Sequence, residues 1–184
     1  MEVVIDILIV FLLLYGLAMI WIFWTKPRGA PWVTTPRARV RKMLELAGVG
    51  PGDLVYDLGC GDGRILVIAA RQFGARAVGI EIDPLRYLWC RALVSVLGLS
   101  ERVQVIYGDF FKQDLSRADV VVMFLQFDTN DLLSLKLVDE LRPGTRVVSH
   151  VATFSGWTPT RLDQANRLYL YEAGKFLGDI EKLK

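Results

Sequence analysis

Side chains that hold metals or form staples are scarce in this sequence. One histidine, His150, and two cysteines, Cys60 and Cys90, supply neither a zinc cluster nor a disulfide framework. A metal-free protein of a reducing compartment is expected. A strong charge of either sign is missing too: the formal net charge of +2 at pH 7 leaves no electrostatic footprint for nucleic acid, and no such partner is expected. A secretory leader is not expected either, because Glu2 and Asp6 stand where a basic segment belongs and no small-x-small site precedes Lys26. The chain holds no internal repeat and no low-complexity segment.

Apolar residues are abundant, 53% of the chain against the roughly 45–50% usual for soluble domains. Much of the excess lies in Val3 to Trp24, broken only by Asp6. At roughly 1.5 Å per residue such a helix reaches the ~30 Å thickness of a bilayer core, so residues 1–25 are expected to form one transmembrane helix. Tyr15, Trp21 and Trp24 fit interfacial aromatics. Lys26, Arg28, Arg37, Arg39, Arg41 and Lys42 follow the span while only acids precede it, which predicts a single-pass protein with its domain on the cytoplasmic side. The same cations suit anionic headgroups, acidic partners or a solvated helix face.

Residues 26–50 read as a Pro/Gly-containing linker and an amphipathic helix. Thr35 caps it, Pro36 suits its first turn, Val40, Met43, Leu44 and Ala47 share one face, and Gly48 stops it. Residues 51–184 form the main domain. Strand-like Leu54 to Leu58, Ala77 to Ile82, Val103 to Tyr107, Val120 to Phe127 and Arg146 to Val151 alternate with helical Ile65 to Phe73, Pro84 to Leu97 and Leu132 to Leu141. That alternation predicts an α/β fold, a Rossmann-like, doubly wound, mostly parallel sheet. Thr158 to Leu162 and Leu168 to Glu172 are too close for a crossover helix and predict a C-terminal antiparallel strand pair. Phe176 to Lys184 is a short helix or a frayed end.

The strongest chemical signal is Asp57-Leu58-Gly59-Cys60-Gly61-Asp62-Gly63-Arg64, between an apolar strand and a helix. Glycines at alternate positions let the backbone turn sharply and approach a cofactor at the carboxyl end of a sheet. A dinucleotide fingerprint needs its third glycine where Arg64 stands, so the pyrophosphate reading is disfavoured. Asp57 argues the same way, since its carboxylate repels a pyrophosphate and attracts the ammonium of a methionine moiety. Glu81, about twenty residues on, suits the two ribose hydroxyls. Asp83 followed by Pro84 reads as a helix cap. Asp109 can accept from an adenine amino group while Phe110 covers the base.

In this order these segments resemble the class I, seven-strand S-adenosylmethionine-dependent methyltransferases. Leu137-Val138-Asp139-Glu140-Leu141-Arg142-Pro143-Gly144-Thr145-Arg146-Val147-Val148-Ser149-His150, followed by Gly156-Trp157, is similar to archaeal broad-specificity protein lysine methyltransferases and to their membrane-anchored mitochondrial relatives. The resemblance covers about residues 31–174. It implies S-adenosylmethionine as cofactor, held by Asp57, Gly59, Cys60, Gly61, Gly63, Glu81, Asp109 and Phe110, and a protein lysine at or near a membrane as acceptor. It further implies that Trp32-Val33-Thr34-Thr35-Pro36 lies over the cofactor through Trp32 and Thr34, with Thr34 where proline is usual.

After the fourth strand, Gln126-Phe127-Asp128-Thr129-Asn130 replaces the less acidic, hydroxyl-rich stretch of such relatives, and the Asn-Pro-Pro-aromatic motif of amide and adenine methylation is missing. Asp128 and Asp131 are the catalytic candidates, placed to orient or deprotonate an amine, with helix capping as the competing role. His150 reads as a hydrogen-bonded structural histidine, and Trp157 as lining the acceptor opening or simply packing. A small or lipid-like acceptor, or a cofactor-binding module without catalysis, are the alternatives.

Overall fold

The computed structural model describes residues 2–25 and 34–175. Trp32 and the tail from residue 176 onward lie outside the described residues. The helices are α1 Glu2–Thr25, α2 Arg37–Leu46, α3 Arg64–Gln72, α4 Pro84–Val96 and α5 Phe127–Glu140. The strands are β1 Leu54–Leu58, β2 Arg76–Glu81, β3 Val103–Tyr107, β4 Val120–Met123, β5 Arg146–His150, β6 Arg161–Asp163 and β7 Leu168–Glu172. They form one seven-stranded sheet in the order β3-β2-β1-β4-β5-β7-β6. Strands β1 to β5 run parallel, and β7 lies antiparallel between β5 and β6. The mostly parallel sheet and its antiparallel C-terminal pair are as expected.

Each face of the sheet has its own core. Val40, Met43 and Leu44 of α2, Leu66 and Ala69 of α3, and Cys90 and Val94 of α4 pack in one cluster. Leu133 and Leu137 of α5 join Phe154, Trp157 and Tyr171 in the other. Helices α2, α3 and α4 therefore cover one face and α5 the opposite one. Burying each such aliphatic side chain contributes roughly 1.5–3 kcal/mol, enough to hold short helices that lack capping side chains. Between β1, which leads on to β2, and β4 the winding reverses direction, and a crevice opens there beyond the carboxyl ends of the strands.

Several boundaries differ from those read in the sequence. Strand β4 ends at Met123 and α5 begins at Phe127, earlier than the expected Leu132. The cause is local: Gln126 is extended, the Asn130 N–H already donates to the Gln126 carbonyl, and Asp128 sits in the first turn, where the helix dipole favours an acid. Strand β6 is shorter than expected and begins at Arg161. Thr35 does not cap α2. Pro36 occupies that position without a side-chain hydrogen bond, and Thr35 is buried with its carbonyl accepting from Arg64.

Helix α1 forms where the apolar run predicts it. Among the described residues, however, no helix is long and apolar enough to cross a membrane. The expected transmembrane helix over residues 1–25 is corrected to that extent.

Candidate active site

Strand β1 delivers Asp57 to the crevice, and the following loop turns across the end of β2. The Gly59 and Cys60 N–H groups both donate to the Ile80 carbonyl, at 2.9 and 3.0 Å. Gly63 starts α3 with φ at 78°, and a Cβ there would overlap the Cys90 Sγ. Only glycine meets both demands. Gly79 of β2 permits a second close approach, since a Cβ on it would come within 2.5 Å of Leu66 and 2.7 Å of the Cys60 Sγ. Helix α3 thus lies tight on the sheet and holds the loop's curvature.

Glu81, at the end of β2, is buried, and each of its oxygens accepts one backbone N–H. Gly61 donates to Oε2 at 2.8 Å and Asp83 to Oε1 at 2.9 Å. One carboxylate therefore ties the glycine loop to the start of α4 and keeps lone pairs for a ligand diol. Asp83 caps α4 as expected, accepting from Leu85 and Arg86 with Pro84 in the first turn. Asp109 accepts from the Phe111 N–H and starts a short 3-10 turn over Phe110–Lys112. Phe110 is buried in the core, and the half-buried Phe111 ring tilts against it at 4.8 Å.

Asp57 is the electrostatic centre of this arrangement. It is 2% exposed, and its Oδ2 is buried with no hydrogen-bond partner among the described residues. Burial first, then the Glu81 and Asp62 carboxylates, push its carboxyl up to about 8. Burial also raises the Asp62 carboxyl, but hydrogen bonds from the Arg64 side chain and backbone outweigh it and hold Asp62 low. The Cys60 thiol is driven well above its ordinary range by its hydrogen bond with Cys90, by burial and by Asp57, so it is not a nucleophile here.

A lone buried carboxylate oxygen beside a glycine loop calls for a cation, and the methionine ammonium of S-adenosylmethionine supplies one. The residues present fit that cofactor. Asp57, Gly59, Cys60, Gly61 and Phe124 line a cavity that Thr34 and Thr35 close from above. A wider groove of about 550 Å³ continues past Asp62, Arg64, Asp83, Leu85 and Trp89. Arg64, which the sequence offered only as a non-glycine, pairs with Asp62 and donates to the Thr35 carbonyl at 2.6 Å. It fastens the segment before α2 onto the glycine loop.

The other wall is built from β4, α5 and β5. Phe124, beyond β4, packs tilted against His150 at 4.2 Å between ring centroids. The Arg39 guanidinium lies 3.4 Å from Nε2, and since it can only donate, Nε2 accepts. Burial, with Arg39 and Arg167, lowers the His150 pKa to about 4, so the ring is neutral near pH 7. Trp157 packs between Phe154 and Tyr171 in the core.

Neither Asp128 nor Asp131 caps α5, because Gln126 holds that position. Asp128 is exposed in the first turn. Asp131 accepts from the Ser155 N–H and hydroxyl, both at 2.7 Å, and clamps the loop after β5. Asn130, fully buried and unforeseen in the sequence, donates to Ser149 Oγ and the Ala152 carbonyl, both at 3.1 Å. Between them the chain makes a tight turn at Val151, with φ at 71°, a strained conformation for a β-branched residue.

Residues 57–161 match the family described as the ANTKMT methyltransferase domain. A protein-lysine N-methyltransferase of Saccharolobus islandicus (strain REY15A) is 44% identical over 152 residues, 79% of this chain and 94% of the relative. The adenine nucleotide translocase lysine N-methyltransferase of Mus musculus is 35% identical over 145 residues, 77% of this chain and 62% of the relative. The chain thus spans nearly the whole archaeal relative but under two thirds of the mouse one. Among solved structures, an RNA methyltransferase from Salinibacter ruber in complex with S-adenosyl-L-homocysteine superposes with a TM-score of 0.74 at 43% identity, covering 76% of this chain and 93% of that one.

Proposed function

The chain belongs to the ANTKMT methyltransferase domain family and is an S-adenosylmethionine-dependent methyltransferase, and from that premise we propose that its acceptor is a protein lysine presented at a membrane. The observation that carries the lysine reading is the acidic rim at the start of α5, where Asp128 stands exposed beyond the end of β4. An acidic rim draws in an ammonium and repels a phosphodiester, which favours the lysine over the RNA named for the Salinibacter ruber protein. The names of the archaeal and mouse relatives support the same choice.

When bound, S-adenosylmethionine would supply a sulfonium methyl group for in-line attack by a neutral nitrogen. Asp57 would hold the amino-acid end, Glu81 the ribose and Asp109 the base edge. Thr34 and Thr35 shield the pocket from water. A lysine with a free pKa of about 10.4 must shed its proton to solvent before attack; Asp128 draws in and orients the ammonium, and desolvation in the pocket favours its neutral form. Asp131 positions the wall through Ser155.

The apolar run of Val3 to Trp24 supports an N-terminal membrane anchor, as does the exposure of its described side chains from Val3 to Tyr15. The charge bias after it supports a cytoplasmic side for the domain. Labelled S-adenosylmethionine, offered with membrane proteins and with total RNA, tests the acceptor. Label recovered as methyl-lysine supports the reading; label confined to RNA overturns it.

A further inference from the structure

Helix α4 has apolar residues on both sides. Cys90 and Val94 face the core, yet Leu85 is 63% exposed, Leu88 55%, Trp89 64% and Val96 84%. With exposed Ala92 these residues recur every three or four positions, so the whole outward ridge of the helix is apolar. A contiguous apolar ridge on a solvated helix marks a contact surface.

The charges beside the ridge identify the contact. Arg86 and Arg91 flank it, and α4 holds no acidic residue. On the same side of the sheet α3 also lacks acids, while α2 presents exposed Arg37, Arg41 and Lys42 against the single Glu45. The opposite side inverts the balance, with Asp128, Asp131, Asp139 and Glu140 on α5 against Lys136. A second copy laid on α4 about a two-fold axis would bring like charges together. An anionic bilayer answers them, and a Trp/Leu/Val ridge between arginines has the composition of an interfacial helix.

We propose that the outward face of α4 seats in the headgroup region of an anionic membrane, with Leu85, Leu88, Trp89 and Val96 at the acyl boundary and the cations of α2 and α4 among the phosphates. Leu85 and Trp89 also wall the groove beside Asp62 and Asp83, so this seating sets that groove at the bilayer surface. The inference deepens the membrane reading above, but it does not need α1 to cross the bilayer.

The test is tryptophan quenching by lipids brominated near the headgroup, with the full chain in vesicles of phosphatidylcholine and phosphatidylglycerol. Signal lost on Trp21→Phe/Trp24→Phe reports the N-terminal segment. Signal lost on adding Trp89→Phe to that variant isolates α4. Quenching of the Trp89 component, reduced by Leu88→Ser/Val96→Ser at unchanged melting temperature and lost in pure phosphatidylcholine, is the expected result, whether or not Trp21 and Trp24 are quenched. An unquenched Trp89 component overturns the proposal: if Trp21 and Trp24 are quenched, the anchor alone survives, and if they are not, both readings fall. A Leu88-dependent dimer in sedimentation with Trp89 unquenched would assign the ridge to a second copy instead.

Discussion

Replacing Asp57 by Asn should make the cofactor-free enzyme more stable and a worse binder. The carboxyl is raised from its ordinary 3.8 to about 8 by burial and by neighbouring acids. An acid raised in the folded state leaves stability intact below the unfolded pKa and removes it as the pH climbs through the folded one. The loss therefore grows from about pH 4 and is complete above about pH 8. At about 1.4 kcal/mol per pH unit the ceiling is roughly 5–6 kcal/mol, and relaxation of the pocket leaves about 2–3 kcal/mol as the expected gain on removing the charge. For a domain of this size that is a rise of roughly 5–10 °C in Tm at pH 8, and essentially none at pH 4. Loss of a charge-assisted hydrogen bond worth about 1.5–3 kcal/mol should weaken S-adenosylhomocysteine roughly 10- to 150-fold. The free carboxyl holds a proton at pH 7 that an ammonium partner displaces, so titration in buffers of different ionisation enthalpy should show about one proton released by the wild type and none by the variant. A Tm unchanged or lowered at pH 8, together with unchanged affinity, would refute the placement of Asp57 as the unpaired charge awaiting the cofactor.

Glu81→Ala strips the acceptor from two backbone N–H groups and should destabilise the domain by roughly 2–4 kcal/mol in urea unfolding, with cofactor affinity lost in parallel. Gly63→Ala forces a side chain into a left-handed position against Cys90 and should cost about 2–4 kcal/mol; adding Cys90→Ala should recover part of it in a double-mutant cycle, because the overlap is with Sγ. His150, lowered to about 4 by burial first and then by Arg39 and Arg167, refuses a proton that the unfolded chain accepts near 6.5. Stability should therefore fall as pH drops from 6.5 towards 4, by up to about 2–3 kcal/mol, and His150→Gln should flatten that limb of the melting-temperature profile.

The glycine loop was legible because its demands are local. A loop that must curve across the end of β2 needs left-handed backbone within a few residues of β1, and Gly59, Gly61 and Gly63 state that in the sequence itself. Asp83 and Pro84 likewise announce the start of α4, since a cap acts on its own two following N–H groups. The boundary between β4 and α5 was harder. Leu125 and Phe127 continue the apolar run of β4, and apolar character does not tell a buried strand from the edge of a helix. Tertiary hydrogen bonding decided it.

The side-chain bonds that brace the walls of the site were hidden, for a physical reason. Asn130 meets Ser149, Asp131 meets Ser155, and Arg64 meets Thr35, all between segments far apart in the chain, so no spacing rule links them. Each bond also fixes a loop rather than a regular element. Asn130 and Ser149 brace the strained turn at Val151, whose neighbour His150 packs on Phe124 at the edge of the cofactor cavity. Under the proposed function, the glycine loop with Asp57, Glu81 and Asp109 meets the cofactor and the wall of α5 and β5 meets the acceptor. Asp128 is the part of that wall left exposed and unclamped, so acceptor preference should follow substitutions there and in Phe127 more closely than substitutions in Asp131, whose removal frees the Ser155 loop and lowers turnover for every acceptor alike.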